Sequence, residues 1–199
     1  MRILHVPTDA GNHGPILARV ERQLGYDSHC IVFGTSHIGY KADESLGGRG
    51  IPALLKLELK RWGVLLRAFR YDVIHYNFGS SICPNPIYVG LGLHGGFKRR
   101  IYSLYAAVFQ MWDVILFRLL NKRIIVVFQG GDARQEWAAL DKDEELPGYY
   151  VPMMDVLKRH RIRIWSKCAN SIYYLNPDLA RFLPSRAKFL PYICMEVKK

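Results

Sequence analysis

Glycine-rich and polar segments follow hydrophobic runs at three places in this chain, and they carry the residues best suited to binding a ligand. These residues are Gly11, Asn12, His13 and Gly14 after the first run, Asn77 and Ser80 after the second, and Gln129, Gly130, Asp132 and Arg134 after the third. Backbone amides in such loops, together with the positive end of a following helix, bind phosphate groups and sugar hydroxyls. We therefore predict that these residues contact a ligand of that chemistry.

Several of these side chains have a structural interpretation as an alternative. His13 is a lone loop histidine that could face solvent, and Asp132 could cap a following helix. Arg134 could simply pair with Asp132. His75 alternates with Val73 along the second run, which indicates packing inside a sheet rather than ligand contact. The three loops together are therefore more informative than any single member.

The segments that must position these loops alternate between strand and helix patterns. Predicted strands are Ile3–Val6, His29–Phe33, Val73–Tyr76, Ile124–Phe128, Ser171–Leu175 and Lys188–Leu190. Predicted helices are Ile16–Leu24, Ala53–Phe69, Lys98–Leu120, Met153–Ala169 and Leu179–Leu183. The alternation predicts an α/β domain with a single doubly wound, mainly parallel, Rossmann-like sheet and helices on both faces. Loops that leave parallel strands meet at one edge, so the three loops should share a site.

The first loop does not have the glycine spacing of a dinucleotide-binding site. Gly11 and Gly14 are separated by two residues, and no Gly-x-Gly pair precedes them. The second strand ends at Phe33 and Gly34, where NAD enzymes place an acidic residue for the ribose. The sequence therefore argues against a nicotinamide or flavin enzyme.

Composition indicates a folded, basic protein. Half of its 199 residues are hydrophobic, and 28 Lys and Arg against 17 Asp and Glu give a formal charge of +11. Such a charge favours an anionic partner. The four cysteines are widely spaced, and we expect no secretory signal, no disulfide framework and no metal site. The apolar stretch Ile101–Leu120 contains Gln110, Asp113 and Arg118, so a helix that spans a membrane is not expected.

One predicted helix combines basic and aromatic side chains in a way that suits an anionic membrane surface. The residues concerned are Lys56, Lys60, Arg61, Trp62 and Arg67. The alternative is a core helix with a solvated basic face. A nucleic-acid partner is not expected, because no recognised nucleic-acid-binding fold accompanies the charge.

Four segments carry a resemblance to a known enzyme family. They are Met1–Val6 with its loop to Gly14, Tyr71–His75, Ile125–Asp132 and Ser171–Asn176. In this order and spacing they resemble the amino-terminal domain of family 4 glycosyltransferases, which are two-domain GT-B enzymes. The resemblance implies transfer of a sugar from a nucleotide-sugar donor to a saccharide or lipid-linked acceptor. It also implies no metal, no further cofactor, and a position for Gln129 and Asp132 near the transferring sugar.

Two departures from the family pattern matter. Gln129 stands where many relatives carry a histidine that contacts the donor. The family's nucleotide-sugar site lies mostly in a second domain, and Phe189–Ile193 resembles the crossover into it. We therefore expect residues 1–199 to be the acceptor-side domain alone, inactive by itself, with a separate chain as one source of the carboxyl-terminal domain. The resemblance implies a cytoplasmic protein with peripheral contact to the inner face of the membrane.

The main alternative is a protein of another class. A non-catalytic basic module would bind an anionic membrane surface or a phosphorylated ligand without performing a reaction. The two interpretations are compatible, since relatives of the resembled family often modify lipid-linked acceptors. Vesicle binding and sugar transfer, measured separately, distinguish them.

Overall fold

The sheet has seven strands, all parallel. The computed structural model describes residues 1–34, 40–47, 51–85, 96–135 and 152–192. The strands are β1 (Arg2–Val6), β2 (Asp27–Val32), β3 (Glu44–Ser45), β4 (Val73–Asn77), β5 (Arg123–Phe128), β6 (Ser171–Tyr174) and β7 (Lys188–Phe189). Their order is β3-β2-β1-β4-β5-β6-β7, and every neighbouring pair is parallel. The predicted single Rossmann-like sheet is confirmed.

Five α-helices are described between or beside these strands. They are α1 (His13–Gln23), α2 (Ile51–Ala68), α3 (Phe97–Phe109), α4 (Trp112–Leu119) and α5 (Pro152–Cys168), and short 3-10 helices cover Ala10–Asn12 and Pro177–Phe182. Helix α1 ends just before Gly25, whose φ of +85° is the left-handed conformation that a glycine adopts after a helix. Within the described residues, no helix is both long and apolar enough to cross a membrane.

The strand order reverses next to β1. From β1 the chain passes outward to β2 and β3, and it then returns to place β4 on the other side of β1. The register pairs Ile3 with Val73 and Val6 with Tyr76, so β1 and β4 end at nearly the same level. This reversal is the topological switch point, and in open α/β sheets the crevice outside it is the usual place for a ligand.

The main hydrophobic core lies between one sheet face and three helices. Leu4, Ile74 and Ile124 point into it from the central strands, and Val64 of α2 and Trp165 of α5 pack against them from the helices. On the opposite sheet face, Ala18 of α1 packs with Cys30 and Val32 of β2. The prediction of helices on both faces is therefore confirmed.

The predicted helix Lys98–Leu120 is wrong in one respect, because the chain breaks there into α3 and α4. Gln110 adopts an extended backbone after α3, and Met111 takes a left-handed φ of +64° before α4 begins. This break directs Met111 and Asp113 into the protein interior, where both residues are buried. Hydrophobic periodicity could not reveal the break, since apolar residues continue through it without a glycine or proline.

Candidate functional site

Two buried amide side chains join the loops that follow β1, β4 and β5. Gln129 Nε2 donates to Asn77 Oδ1 at 2.5 Å and to the carbonyl oxygen of Ala10 at 3.0 Å. Asn77 Nδ2 in turn donates to the Ala10 and Thr8 carbonyl oxygens at 3.0 and 3.1 Å. A buried amide that has both its oxygen and its nitrogen occupied is held in one orientation. The three loops therefore form one connected structure at the switch point.

Gly11 occupies a position where a side chain has no room. Its φ is +61°, and a Cβ added there would lie 2.9 Å from Gln129 Oε1 and 3.1 Å from the Tyr192 ring. The loop after β1 consequently approaches Gln129 through its backbone alone. Glycine is required by both the conformation and the contact.

Gly14 allows the start of α1 to pack closely on the sheet. A Cβ there would lie 3.3 Å from Cys30 Sγ on β2 and 3.5 Å from the Cβ of His5 on β1. Helix α1 begins after Asn12, which has a left-handed φ of 56° and makes no capping hydrogen bond with its side chain. Asn12 Oδ1 is buried and has no hydrogen-bond partner in the part of the chain that the structure describes. The predicted loop is thus a tight connection from strand to helix.

Asp132 closes the turn after β5. Its carboxylate accepts hydrogen bonds from the backbone amides of Gly130 at 2.7 Å and Gln129 at 3.1 Å. Burial raises the pKa of Asp132, although these hydrogen bonds oppose the shift. Asn176, at the end of β6, donates to the Gln129 carbonyl oxygen. Asp132 therefore caps its own turn.

Arg134 forms an ion pair with Asp178, at 2.8 Å between Nη2 and Oδ2. The interpretation that it pairs with Asp132 is wrong, because Asp132 is occupied by backbone amides. The Arg134 guanidinium holds the pKa of Asp178 below its usual value. This exposed pair ties the turn after β5 to the 3-10 helix after β6.

A buried chain of hydrogen bonds runs under the start of α1. His5 Nδ1 and His75 Nδ1 lie 2.6 Å apart, and His5 Nε2 donates to Glu21 Oε2 at 2.8 Å. Ser28 Oγ donates to the same carboxylate oxygen at 2.6 Å. Burial holds the pKa of His75 well below its ordinary value. Burial alone would raise the pKa of Glu21, but the His5 and Ser28 hydrogen bonds lower it.

His13 is buried beside this chain, so the interpretation of a loop histidine facing solvent is wrong. The His13 residue is only 2% exposed to solvent. Neither ring nitrogen has a hydrogen-bond partner among the described residues, and the ring centroid lies 5.7 Å from that of His75. Burial, with the nearby His5, lowers the pKa of His13 to about 4. His13 is therefore neutral at physiological pH.

The predicted site residues mostly fix the shape of the loops. His13, Asn77, Gln129 and Asp132 lie at the same edge, and each is buried. That they border one open concavity stays a prediction. Ser80 is also buried and donates to the Phe78 carbonyl oxygen in a tight turn. Ligand contact by any of these residues stays a prediction. Gly131 is exposed in the turn after β5.

The predicted membrane-surface residues divide into two groups. Arg61 donates to Glu58 at 3.0 Å and to the Ile82 carbonyl oxygen at 2.6 Å, while Trp62 Nε1 donates to Tyr105 at 3.0 Å. These two residues therefore join α2 to its neighbours. Lys56 and Lys60 are exposed. Arg67 is exposed as well, and it pairs with Glu44 at 2.8 Å.

Sequence reasoning missed several residues that hold this edge together. Tyr192 contacts the first loop near Gly11, and nothing in its local pattern indicates this. His5 and Glu21 were missed although His5 is paired with His75 in the β1–β4 register. Knowledge of that register would have brought the two histidines together on one sheet face. In the described part of the chain, no cluster of His, Cys, Asp or Glu is arranged to hold a metal ion.

No protein-family model and no curated protein matches this chain. Among solved structures, it is similar to UDP-glucose 4-epimerase from Brucella ovis, crystallised in complex with NAD, with a TM-score of 0.40 and 11% identity over 88% of this chain. The chain spans 51% of the length of that structure.

Proposed function

We propose that residues 1–199 form the amino-terminal, acceptor-side domain of a GT-B glycosyltransferase. The complete enzyme would move a sugar from a nucleotide-sugar donor to a saccharide or lipid-linked acceptor. The observation that carries this proposal is the hydrogen-bonded junction of Gln129, Asn77 and the Ala10 carbonyl at the switch point. This junction shapes three loops at the one sheet edge where an α/β domain offers a ligand crevice.

The chemistry of this edge suits hydroxyl and phosphate groups. Gly11 and Asn12 in the loop before α1 are partly exposed, and Gly131 is exposed in the turn that Asp132 closes. Backbone amides and the positive end of α1 favour oxygen-rich, anionic ligands. The formal charge of +11 adds long-range attraction for the same ligands.

Asp132 and Gln129 have an indirect part in this proposal. Their side chains are buried and engaged, so they position the backbone from Gln129 to Gly131 rather than contact the transferring sugar themselves. In the resembled enzymes, the charge that develops on the departing diphosphate is met by cationic and backbone donors of the facing domain. In this proposal, residues 1–199 therefore position the acceptor, and catalysis depends on the facing domain, which is supplied in the same or a separate polypeptide.

The test compares the chain alone with a fusion to a matching carboxyl-terminal domain. Calorimetry with a panel of nucleotide sugars should give only weak binding for residues 1–199, and a transfer assay should give no product. The fusion should bind one donor tightly and transfer its sugar. Gly11→Ala in the fusion should reduce transfer, because the new Cβ would meet Gln129, whereas Gly25→Ala should not, because the space there is open.

Three outcomes would contradict the proposal. Tight donor binding by residues 1–199 alone would place the donor site in this domain. Tight NAD binding would favour a dinucleotide enzyme. A fusion that binds anionic vesicles but shows no transfer with any donor would favour the alternative of a non-catalytic basic module.

A further inference from the structure

Helices α2, α3 and α4 expose many large apolar side chains. Their residues are between 42% and 77% exposed. They are Leu55, Leu59 and Leu66 on α2, Phe97, Ile101, Leu104 and Val108 on α3, and Trp112, Ile115 and Leu119 on α4. We call this set the outer apolar face. Scattered exposed apolar residues are normal, but a contiguous group of this size marks an interaction surface.

The spacing shows that these residues form stripes distinct from the core side of each helix. On α3, Phe97, Ile101, Leu104 and Val108 follow the three- and four-residue steps of one helical face, whereas the fully buried Ala106 lies on the other. On α4, Trp112, Ile115 and Leu119 share a face in the same way, opposite the buried Val114 and Phe117. Packing of the hydrophobic core therefore does not account for the exposed apolar stripe on either helix.

Contacts between the helices join the stripes into one surface. Trp62 lies in line with the α2 leucines, and it bonds to Tyr105 of α3 at 3.0 Å between Nε1 and the hydroxyl oxygen. Its ring also packs edge-on against Phe109, at 5.6 Å between centroids. Phe109 in turn contacts Trp112 of α4 at 4.8 Å. The outer apolar face thus continues from α2 across α3 to α4.

Basic residues predominate among the charges on the three helices. The three helices contain only two acidic residues, Glu58 and Asp113. Glu58 accepts hydrogen bonds from Tyr102 and Tyr105 at 2.6 and 2.9 Å, and Asp113 is fully buried. Among the side chains that the structure describes on these helices, the exposed charged ones are basic, and Arg67 is the one that pairs with Glu44. They are Lys56, Lys60, Arg67, Arg100 and Arg118. Apolar side chains bordered by cations match the apolar interior and anionic headgroups of a lipid surface.

We propose that the outer apolar face docks the protein onto an anionic lipid bilayer, with the helices lying on the surface. This goes beyond the proposed sugar transfer and does not depend on it. A second copy of the chain is a poorer occupant, because a symmetric contact would set Lys56, Lys60 and Arg118 against like charges. A lipid surface satisfies the apolar residues and the cations together.

The first experiment measures sedimentation of the protein with vesicles of phosphatidylcholine, with and without phosphatidylglycerol. Leu59→Ser combined with Leu104→Ser should lower the fraction bound to anionic vesicles about tenfold or more. The matched control is Met153→Ser with Val156→Ser, which alters exposed apolar residues on α5, and it should bind as the wild type does. Unchanged binding of the Leu59/Leu104 variant would overturn the proposal.

The basic border is tested in the same assay. Lys56→Glu with Lys60→Glu should reduce binding to anionic vesicles several-fold and weaken its dependence on salt. Arg163→Glu with Lys167→Glu, at exposed positions on α5, is the matched control and should have a smaller effect. Equal binding of wild-type protein to neutral and anionic vesicles would overturn the charge complementarity on which the proposal depends.

A fluorescence measurement reports insertion directly. Trp112 is 53% exposed, so its emission should shift to shorter wavelength when anionic vesicles are added. Trp112→Phe should remove that shift.

Ultracentrifugation without lipid tests for a second copy of the chain on this face. A dimer that Leu59→Ser with Leu104→Ser dissociates would assign the face to a second copy instead. Unchanged thermal unfolding of each variant ensures that lost binding is not lost folding.

Discussion

Gly11 is the residue at which a small change should have the clearest effect on the candidate site. Gly11→Ala forces alanine into a left-handed backbone and places its Cβ 2.9 Å from Gln129 Oε1. We expect a loss of about 2–4 kcal/mol in unfolding free energy, partly from the backbone and partly from displacing Gln129. Urea denaturation of the variant and the wild type measures this difference in unfolding free energy.

Gly25→Ala is the matched control for this change. Gly25 also has a positive φ, of +85°, but a Cβ there meets nothing within 4 Å. The Gly25→Ala variant should therefore lose only the part of the unfolding free energy that comes from the strained backbone, about 1–2 kcal/mol. Equal losses for the two variants would mean that the contact between Gly11 and Gln129 contributes nothing.

His13 should make the protein sensitive to mild acid. Its pKa is about 4 in the folded protein and near 6.5 when unfolded, so below pH 6.5 the unfolded chain binds the proton first. Stability should fall as the pH drops from 6.5 towards 4, by about 3 kcal/mol from this residue. His13→Gln should flatten this dependence in urea unfolding measured across the range.

The exposed His160 supplies the comparison for His13. His160→Gln removes an exposed histidine from the same protein, so it controls for the loss of a histidine as such. The pKa values of His75 and Glu21 are also lowered in the folded protein, so these residues also make the fold less stable in acid. Both residues are present in both variants. A His13→Gln variant with the full wild-type slope would show that His13 is not protected from protonation.

The hydrogen-bonded pair of His5 and His75 should have a fixed proton on the nitrogen that faces Glu21. His5 Nε2 must donate to the Glu21 carboxylate, and one proton lies between the two Nδ1 atoms. Nitrogen-15 NMR should therefore find a protonated Nε2 on His5. An unprotonated His5 Nε2 would contradict this geometry.

The sequence predicted where the polar loop residues would lie, but not what they do. Asn77 and Gln129 were placed correctly at the ends of parallel strands, because strand ends can be recognised from hydrophobic runs. Their mutual hydrogen bond depends on which strands are neighbours and on rotamers, and neither is encoded locally. Burial of His13 likewise depends on how closely Gly14 lets α1 approach β2.

At the scale of elements, Asp113 connects β4, the loop after it and α4. Tyr76 of β4 and the Ile82 amide both donate to Asp113 Oδ2, at 2.9 and 2.8 Å, and burial raises the pKa of this carboxyl above 3.8. A raised pKa means that ionised Asp113 destabilises the fold at higher pH. Relative to wild type, Asp113→Asn should therefore gain stability as the pH rises from 4 to 7.

Tyr76→Phe distinguishes this effect from simple loss of a contact. It removes one donor from the buried carboxylate and should cost about 1–3 kcal/mol at neutral pH. The loss should shrink in acid, where Asp113 is protonated. If chemical denaturation gives Asp113→Asn the same difference from wild type at every pH, the carboxyl is not perturbed by burial.

Elements were predicted well where the local sequence determines them and poorly where the tertiary fold does. The five-residue β4 and six-residue β5 were found within one residue of their ends, since β4 is largely apolar and β5 contains a continuous apolar run. The two-residue β3 was missed, because Glu44 and Ser45 have no strand preference and pair with β2 only through the tertiary fold. The break at Met111 was missed for the same reason, since packing rather than local sequence imposes it.

For the whole molecule, the outer apolar face and the switch-point loops are separate surfaces, and their effects should separate. In an active fusion enzyme, Leu59→Ser with Leu104→Ser should leave transfer to a soluble acceptor unchanged, since both side chains are exposed on helix surfaces. With an acceptor embedded in anionic vesicles, the same variant should raise KM about tenfold. Equal loss on both acceptors would mean that the face acts through folding or through the site.

The shape of the sheet has a consequence for how this protein aggregates. Among the described residues the sheet ends at β3 and β7, each only two residues long and each bearing a charged residue, Glu44 or Lys188. Such short, charged borders offer few free backbone groups to a strand from another molecule. The β-branched segment Ile124–Phe128, by contrast, lies between two partner strands. Fibrillar aggregation on heating should therefore require the sheet to open first, so that unfolded rather than native chains supply the growing strand.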